Sequence, residues 1–291
     1  MKPSKDVRFL VARAAQVLGD AGVATPAVDA RLLASALLGV PALHLTLLPP
    51  ADVPESFEQD YAAAIERRAQ REPLQYITGV APFGGFDLNV GPGVFIPRPE
   101  TELLARWAVD TLDGVASPTV VDLGTGSGAI AIYIALSRPD ARVIAVERSA
   151  AAREWAEANG RDLGASISVV PGDMTDPDLL TELSGEVNLV VSNPPYVPES
   201  PDLSPEVYFD PHEAVFSGAD GMGAIRGLVP VAARLLVDGG ALGIEHDDTT
   251  SRAVRNVVHS TGAFRESAVV QDMAGRDRFV TASRVKRHER S

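Results

Sequence analysis

Apolar residues at Val7, Leu10, Val11, Ala14, Val17 and Leu18 recur every three or four positions, so they share one face of a helix that stops near Gly19 and Gly22. Thr25 ahead of Pro26 reads as an N-cap with proline in the first turn, opening a second helix through Leu32, Leu33, Ala36 and Leu37 as far as Gly39. A third helical stretch covers residues 55–71, after the Pro49-Pro50 turn. No strand-like run separates the three. The pattern predicts a small all-helical N-terminal domain over residues 1–77.

Over residues 78–99 the texture changes to glycine, proline and aromatic residues, with Phe83, Phe86, Val90, Val94 and Phe95 set between turn signals. That is a hairpin connector, too apolar for a flexible linker. A helix over residues 100–112 follows, and then strands and helices alternate. Strands are expected at 119–123, 142–147, 167–170 and 187–192, with helices at 127–137 and 150–163 between the first three. A helix at 224–236, a strand at 241–245 and a helix at 249–260 lead to a closing antiparallel pair at 268–271 and 277–282. Such alternation predicts an α/β fold, a doubly wound, mostly parallel sheet over residues 100–284. Residues 285–291 are left as a basic tail.

Of the 291 residues 45% are hydrophobic and 22% charged, which excludes wholesale disorder. No apolar run nears the roughly 18 residues of a membrane span. Residues 1–6 lack the apolar core of a signal peptide, so a cytoplasmic protein without membrane contact is expected. The absence of cysteine removes disulfides, thiolate nucleophiles and Cys-ligated metals. The net charge of −13 is uneven, because residues 1–78 hold 8 basic and 9 acidic side chains. The acidic remainder disfavours a direct nucleic-acid partner and suits a basic protein.

Asp122-Leu123-Gly124-Thr125-Gly126-Ser127-Gly128 falls where the first strand of the sheet turns into a helix. Glycines there permit a tight turn and let a ligand come close to the backbone at a helix N-terminus. Glu147, at the end of the next strand, suits a carboxylate gripping ribose hydroxyls. The loop alone does not separate NAD from S-adenosyl-L-methionine, and without a following lysine it is no P-loop.

The fourth strand ends in Asn193-Pro194-Pro195-Tyr196. In an open parallel sheet this turn and the glycine loop face one crevice. An amide or exocyclic amine is a poor nucleophile because its lone pair is delocalised. The side-chain oxygen of Asn193 and the carbonyl of Pro194 can accept its two N–H bonds and hold it with the lone pair freed. The prolines stiffen the turn, and Tyr196 offers a flat face. This chemistry suits methyl transfer to a planar nitrogen.

The tetrapeptide, the glycine loop and Phe95-Ile96-Pro97-Arg98-Pro99-Glu100-Thr101-Glu102 together resemble the peptide chain release factor glutamine-N5 methyltransferase family. The likeness runs over nearly the whole chain and includes Phe209-Asp210-Pro211-His212-Glu213-Ala214. It implies a Rossmann-like methyltransferase sheet, S-adenosyl-L-methionine as cofactor, and methylation of the glutamine side-chain amide in the Gly-Gly-Gln loop of release factors, with the helical domain binding the factor's body. Gly124, Thr125, Gly126, Ser127 and Gly128 would line the methionine part of the cofactor, Glu147 would take the ribose, and Asp173 and Met174 would meet the adenine. Asn193 would serve cofactor and substrate, and Asn193, Pro194, Pro195 and Tyr196 would grip the glutamine amide. The resemblance also sets Arg98, Glu100 and Thr101 beside the cofactor. Two departures are visible: Met174 stands where relatives often have an aromatic residue, and Glu245-His246 runs into Asp247-Asp248 where many continue with glycine.

Asn-Pro-Pro-Tyr also occurs in enzymes that methylate adenine or cytosine amino groups, which keeps nucleic-acid methylation as the alternative. Adjacent side chains on a strand diverge, so Glu245 to Asp248 are read as a surface turn and no metal site is expected. No Gly-x-Ser-x-Gly elbow is present.

Overall fold

The computed structural model describes residues 6–199 and 203–285, so the expected basic tail lies outside the described residues except for Val285. The chain divides into two compact units, Met1–Val80 with Ser204–Phe209, and Ala81–Leu203 with Asp210–Ser291.

The first unit carries α1 (Val7–Asp20), α2 (Pro26–Leu38), α3 (Phe57–Ala69) and the short α4 (Leu74–Thr78). Asp6 caps α1 by accepting from the Arg8 amide at 3.0 Å, and Gly39 ends α2 in the left-handed conformation. Leu10, Leu18, Leu33, Phe57, Tyr61 and Ile65 fill its core. Among these apolar residues lies an ion pair, Arg68 Nε to Asp29 Oδ2 at 2.8 Å, with both side chains under a tenth exposed. Arg68 also donates to the Glu72 carbonyl at 3.1 Å and to Glu206 Oε1 at 3.0 Å. Glu206 is gripped again by Arg71 through two bonds of 2.7 Å. Burial works to raise the Glu206 pKa, yet the hydrogen bonds from Arg71, Ser204 and Arg68 outweigh it and bring the carboxyl down to about 2. Residues 204–209 therefore belong to the helical unit, although they follow the fourth sheet strand by only a dozen positions. Local periodicity cannot reveal such a return.

The second unit opens at Ala81, one residue into the hairpin β1 (Val80–Phe83) and β2 (Phe86–Asn89), which α5 (Thr101–Thr111) follows. Asn159 fastens β2, accepting from the Asn89 amide at 2.8 Å and donating to its carbonyl at 3.0 Å. The main sheet follows, with β3 (Thr119–Leu123), α6 (Ala129–Ser137), β4 (Arg142–Glu147), α7 (Ala150–Leu163), β5 (Ile167–Pro171) and β6 (Val187–Ser192). It continues through α8 (His212–Val215), α9 (Gly223–Leu235), β7 (Leu236–Glu245), α10 (Ser251–Ser260), β8 (Phe264–Gln271) and β9 (Asp277–Arg284). Seven strands lie in the order β5-β4-β3-β6-β7-β9-β8. The first five are parallel, and β9 pairs antiparallel with both β7 and β8. Val120, Val121 and Leu123 are wholly buried because helices cover both sheet faces, which is why central strands read as unbroken apolar runs.

Two strands begin earlier than expected, β8 at Phe264 instead of 268 and β7 at Leu236 instead of 241, and the short helices α4 and α8 are not among the expected elements. For β7 the reason is that the Val237-Asp238-Gly239-Gly240 stretch, which has no element of its own between the expected helix and strand, is an irregularity inside the strand. Its register against β6 slips between Val187 and Leu189, and Gly239 supplies the positive φ of 82°.

Removing the Asp29 carboxylate leaves Arg68 buried with one of its charge partners gone. We expect Asp29→Ala to destabilise the helical unit by about 3 kcal/mol, read as a lower urea midpoint in far-UV circular dichroism. An unchanged midpoint would contradict this account of the ion pair.

Candidate active site

The chain winds outward from β3 to β5, then crosses back to lay β6 on the other side of β3. Val120, Val121 and Asp122 sit level with Leu189, Val190 and Val191, so the carboxyl ends of these two strands leave the sheet together. Ser192 Oγ donates to the Leu123 carbonyl at 2.6 Å and ties the two ends. A cavity of about 450 Å³ opens beyond them. Its walls include Gly124, Thr125, Gly126, Ser127, Glu147, Asp173, Met174, Asn193 and Pro195. Of the other residues expected at the site, Gly128 caps α6, Pro194 is buried in the turn, and Tyr196 extends to Glu245. None of these three lines the cavity.

Gly124, Gly126 and Gly128 all adopt positive φ, 79°, 57° and 87°. At Gly124 a Cβ would meet only the Met174 methyl group, the far end of a flexible side chain that can move aside, so it is the left-handed backbone that demands glycine there. The amides of Gly124 and Thr125 donate to the Val146 carbonyl at 2.9 and 3.0 Å, and that of Gly126 to Glu147 Oε2 at 3.0 Å. What these glycines give a ligand is room, since these three donors are already used. Glu147 also accepts from the Ser149 amide at 2.8 Å through Oε1, so its carboxylate is fixed while each oxygen keeps a lone pair for a hydroxyl. Asp173 accepts from the Thr175 amide and hydroxyl at 2.8 and 2.7 Å, through one oxygen. Burial raises its pKa, but those bonds and Arg148 win and hold it below the ordinary carboxylate value.

Beneath the glycine loop, Asp122 accepts from Thr125 Oγ1 at 2.6 Å, while its other oxygen is enclosed without a partner. Desolvation raises its pKa to about 7 against the hydrogen bonds that oppose the shift.

Beneath the other loop, Asn193 Nδ2 donates to Thr101 Oγ1 at 3.0 Å. Tyr196 donates its phenol to Glu245 Oε1 at 3.1 Å. The other oxygen of this carboxyl, Glu245 Oε2, is enclosed without a hydrogen-bond partner. Arg98 lies over the Phe95 ring at 4.8 Å and pairs with Asp210 at 2.5 Å, joining the two proline-rich segments singled out in the sequence. Gly221 has φ 69°, and a Cβ there would overlap the Tyr196 carbonyl, so this glycine lets the turn close.

Glu245 and His246 are buried, 2% and 0% exposed, which overturns the surface-turn reading of this stretch. Glu245 ends a strand that passes through the core, His246 follows it still buried, and the chain becomes exposed at Asp248. Sequence reasoning missed Glu245 and Gly221. A carboxylate closing an apolar strand of a doubly wound sheet was a usable signal for the first. Nothing local marks the second, whose constraint comes from a residue 25 positions earlier.

Comparison with known proteins gives the class. The fold matches that of the human Mettl16 catalytic domain solved with the MAT2A 3′UTR hairpin 6, at TM-score 0.53 and 13% identity, covering 78% of this chain and 81% of that one. It also matches a Thermus thermophilus 16S rRNA N2 G1207 methyltransferase in complex with AdoMet and guanosine, at TM-score 0.51 and 21% identity, over 70% of this chain and 49% of that one. The family described as Methyltransferase small domain matches residues 88–207. The molecule is thus a Rossmann-like methyltransferase. Residues 10–79 match the family described as PrmC N-terminal domain. The release factor glutamine methyltransferase of Corynebacterium glutamicum is 55% identical over 94% of this chain and 96% of its own, and that of Mycolicibacterium smegmatis 50% identical over 97% and 99%. The Mycobacterium tuberculosis protein of the same name is 44% identical over 96% and 91%. The chain belongs to the release factor glutamine methyltransferase family.

Two outcomes follow from the geometry. Asp122 holds a proton in the folded chain, between roughly pH 4 and 7, that an unfolded chain has released. Its contribution to stability is complete below pH 3.8 and is lost as pH rises through about 7. Relative to wild type, Asp122→Asn should become progressively more stable as pH rises across this window, by up to about 1.4 kcal/mol per pH unit in denaturant titrations. Parallel stability curves would refute the shift. Gly221→Ala should displace the Tyr196 carbonyl and lower methyl transfer by about tenfold or more, with secondary structure retained.

Proposed function

We propose that this chain transfers a methyl group from S-adenosyl-L-methionine to the side-chain amide nitrogen of glutamine in the Gly-Gly-Gln loop of a peptide chain release factor. The single observation that carries the reading is the polarity of Asn193. Its NH₂ is engaged by Thr101, which leaves its oxygen as the end available to accept an N–H.

The cavity residues fit the cofactor. The glycine loop leaves a side-chain-free wall, Glu147 presents two fixed lone pairs suited to ribose hydroxyls, and Met174 with Asp173 suits an adenine face and its amino edge. Carboxylates of Glu147, Asp173 and Glu213 around the cavity complement a cationic ligand. The bound cofactor supplies a methyl group on a sulfonium, whose sulfur takes the C–S electron pair and leaves as a neutral thioether.

Asn193 Oδ1 and the Pro194 carbonyl accept the two N–H bonds of the glutamine amide and turn its nitrogen lone pair toward the cofactor. The stiff Pro194-Pro195 turn keeps these acceptors still, so the rate comes from positioning. No side chain is needed as a base before transfer, because the methylated nitrogen becomes cationic and sheds its proton afterwards. The helical unit supplies a surface for the body of the factor, and the acidic charge of the rest suits a substrate made to meet ribosomal RNA. Residues 1–77, with the returning segment 204–209, serve recognition, 78–99 form the connector, and the rest of 100–284 carries the chemistry.

Incubation with methyl-labelled S-adenosyl-L-methionine and a release factor should label the wild-type factor and spare its Gln→Ala loop variant, with mass spectrometry locating the methyl on that glutamine. Equal labelling of both would sink the proposal. Asn193→Ala should keep cofactor affinity within a few-fold while kcat falls by about 100-fold or more. Glu147→Ala should instead weaken cofactor binding, measured calorimetrically, by about tenfold or more.

A further inference from the structure

The geometry points to Asp210 as a positioning residue for methyl transfer, the tie that closes a triangle of three chain segments to which Asn193 belongs. The inference rests on the proposed function and deepens it, and it concerns a carboxylate that does not itself line the cavity.

Residues 95–101, 193–197 and 210–217 each supply part of the cavity wall: Phe95 and Thr101 from the first, Asn193 and Pro195 from the second, Pro211 and Phe216 from the third. Hydrogen bonds hold the three in pairs. Asn193 Nδ2 donates to Thr101 Oγ1 at 3.0 Å and joins the first segment to the second. The Val197 amide donates to the Val215 carbonyl, and the Ser217 amide to the Val197 carbonyl, both at 3.0 Å, which joins the second to the third. Asp210 joins the third back to the first. Its Oδ1 accepts from the Ile96 amide at 3.2 Å and its Oδ2 from Arg98 Nη2 at 2.5 Å.

This last tie is the charged one. The Asp210 side chain is wholly buried, while that of Arg98 is 35% exposed. A buried carboxylate is tolerated only beside well-placed donors, so those on residues 96 and 98 fix where it lies. Arg98 is held in turn by the Phe95 ring, whose centre lies 4.8 Å from its guanidinium carbon, and by Pro97 and Pro99 on either side, which restrict its backbone. From Arg98 the constraint reaches Asn193 in two steps. The Arg98 carbonyl accepts from the Thr101 amide at 3.1 Å, and the hydroxyl of Thr101, a residue 3% exposed, accepts from Asn193. Three members tied in pairs form a closed figure in which none shifts alone. Cut at Asp210, it becomes an open chain, and the hydroxyl that orients Asn193 moves with a loosened turn. A displacement of about 1 Å at a positioning group is enough to cost roughly 100-fold in rate. Glu147 and the glycine loop belong to the ends of β4 and β3, outside the triangle, so cofactor binding depends on it less.

The test compares wild type with Asp210→Asn, Arg98→Met, Arg98→Lys and Thr101→Val. In Asp210→Asn the side chain has one acceptor oxygen for two donors and turns its own NH₂ toward the other. Asp210→Asn and Arg98→Met should each lower kcat by about 10- to 100-fold, as when a partner that orients a contact residue is lost, with S-adenosyl-L-methionine affinity and release-factor KM within about threefold. Arg98→Lys keeps a cation for Asp210 and should recover most of the loss seen in Arg98→Met. Because both ties act on one figure, Asp210→Asn combined with Thr101→Val should lower kcat hardly more than the worse single variant, while their effects on the urea midpoint add. Full kcat in Asp210→Asn, equal loss in Arg98→Lys and Arg98→Met, or multiplying losses of kcat in the double variant would overturn the inference. If Asp210→Asn fails to fold by circular dichroism, the two Arg98 variants decide. A substrate-free readout separates the two levels of the argument. The ¹⁵N side-chain amide signal of Asn193, assigned by its loss in Asn193→Ala, should shift and exchange its protons faster in Asp210→Asn and in Arg98→Met than in wild type. If it does so while wild type labels no release factor, the substrate assignment fails and the triangle stands. If it is the same in all three proteins, the triangle fails whatever the enzyme methylates.

Discussion

Strands β3 and β6 lie side by side with their carboxyl ends level, yet the helices that follow them depart toward opposite sides of the sheet. No connection can bridge the gap above those ends, and a crevice is left that the fold itself does not fill. Each half of the site descends from this constraint. β3 delivers the glycine loop, β6 delivers Asn193, and the Ser192 to Leu123 hydrogen bond keeps the two loops in register. The neighbouring strands complete the ring, β4 with Glu147 and β7 with Glu245, each at a carboxyl terminus.

Two buried carboxyls underlie the two loops, Asp122 beneath the glycines and Glu245 beneath the Asn-Pro-Pro-Tyr turn. Both rise to about 7 because burial penalises their charge more than their hydrogen bonds relieve it. Each accepts a hydroxyl from the loop above it. Thr125 answers to the first and Tyr196 to the second. The cavity floor is therefore a place of low dielectric with few, directed polar groups, where each hydrogen bond orients more strongly than it would in water.

Much of this could be read from the chain. Strands 119–123, 142–147 and 187–192 were evident because sheets covered on both faces need unbroken apolar runs, and helix ends were marked by proline and glycine. The glycine loop and the Asn-Pro-Pro-Tyr turn stood out because their conformations demand unusual residues. Less visible were relations between distant residues. Glu245 looked like the beginning of an exposed turn because Asp247 and Asp248 follow it, although the strand carries it into the core. Gly221 looked like any loop glycine, since the atom it must avoid belongs to Tyr196. The irregularity around Gly239 breaks the apolar run of β7, so the first residues of that strand do not stand out in the sequence.

The six residues 204–209 belong to the helical unit while lying, in sequence, between the Asn-Pro-Pro-Tyr turn and Asp210 of the methyltransferase unit. In topological terms the helical unit is discontinuous, assembled from two separate lengths of one polypeptide. A cut made at the linear boundary near residue 80 would not release an intact module. It would strand the Glu206 carboxylate without Arg68 and Arg71, and leave two arginines deprived of their anion. Graft or truncation experiments therefore cannot treat this unit as an interchangeable appendage, and neither can recombination between relatives. The pairing of Glu206 with Arg68 and Arg71 makes the helical unit depend on a segment that the chain supplies only after the fourth strand of the sheet.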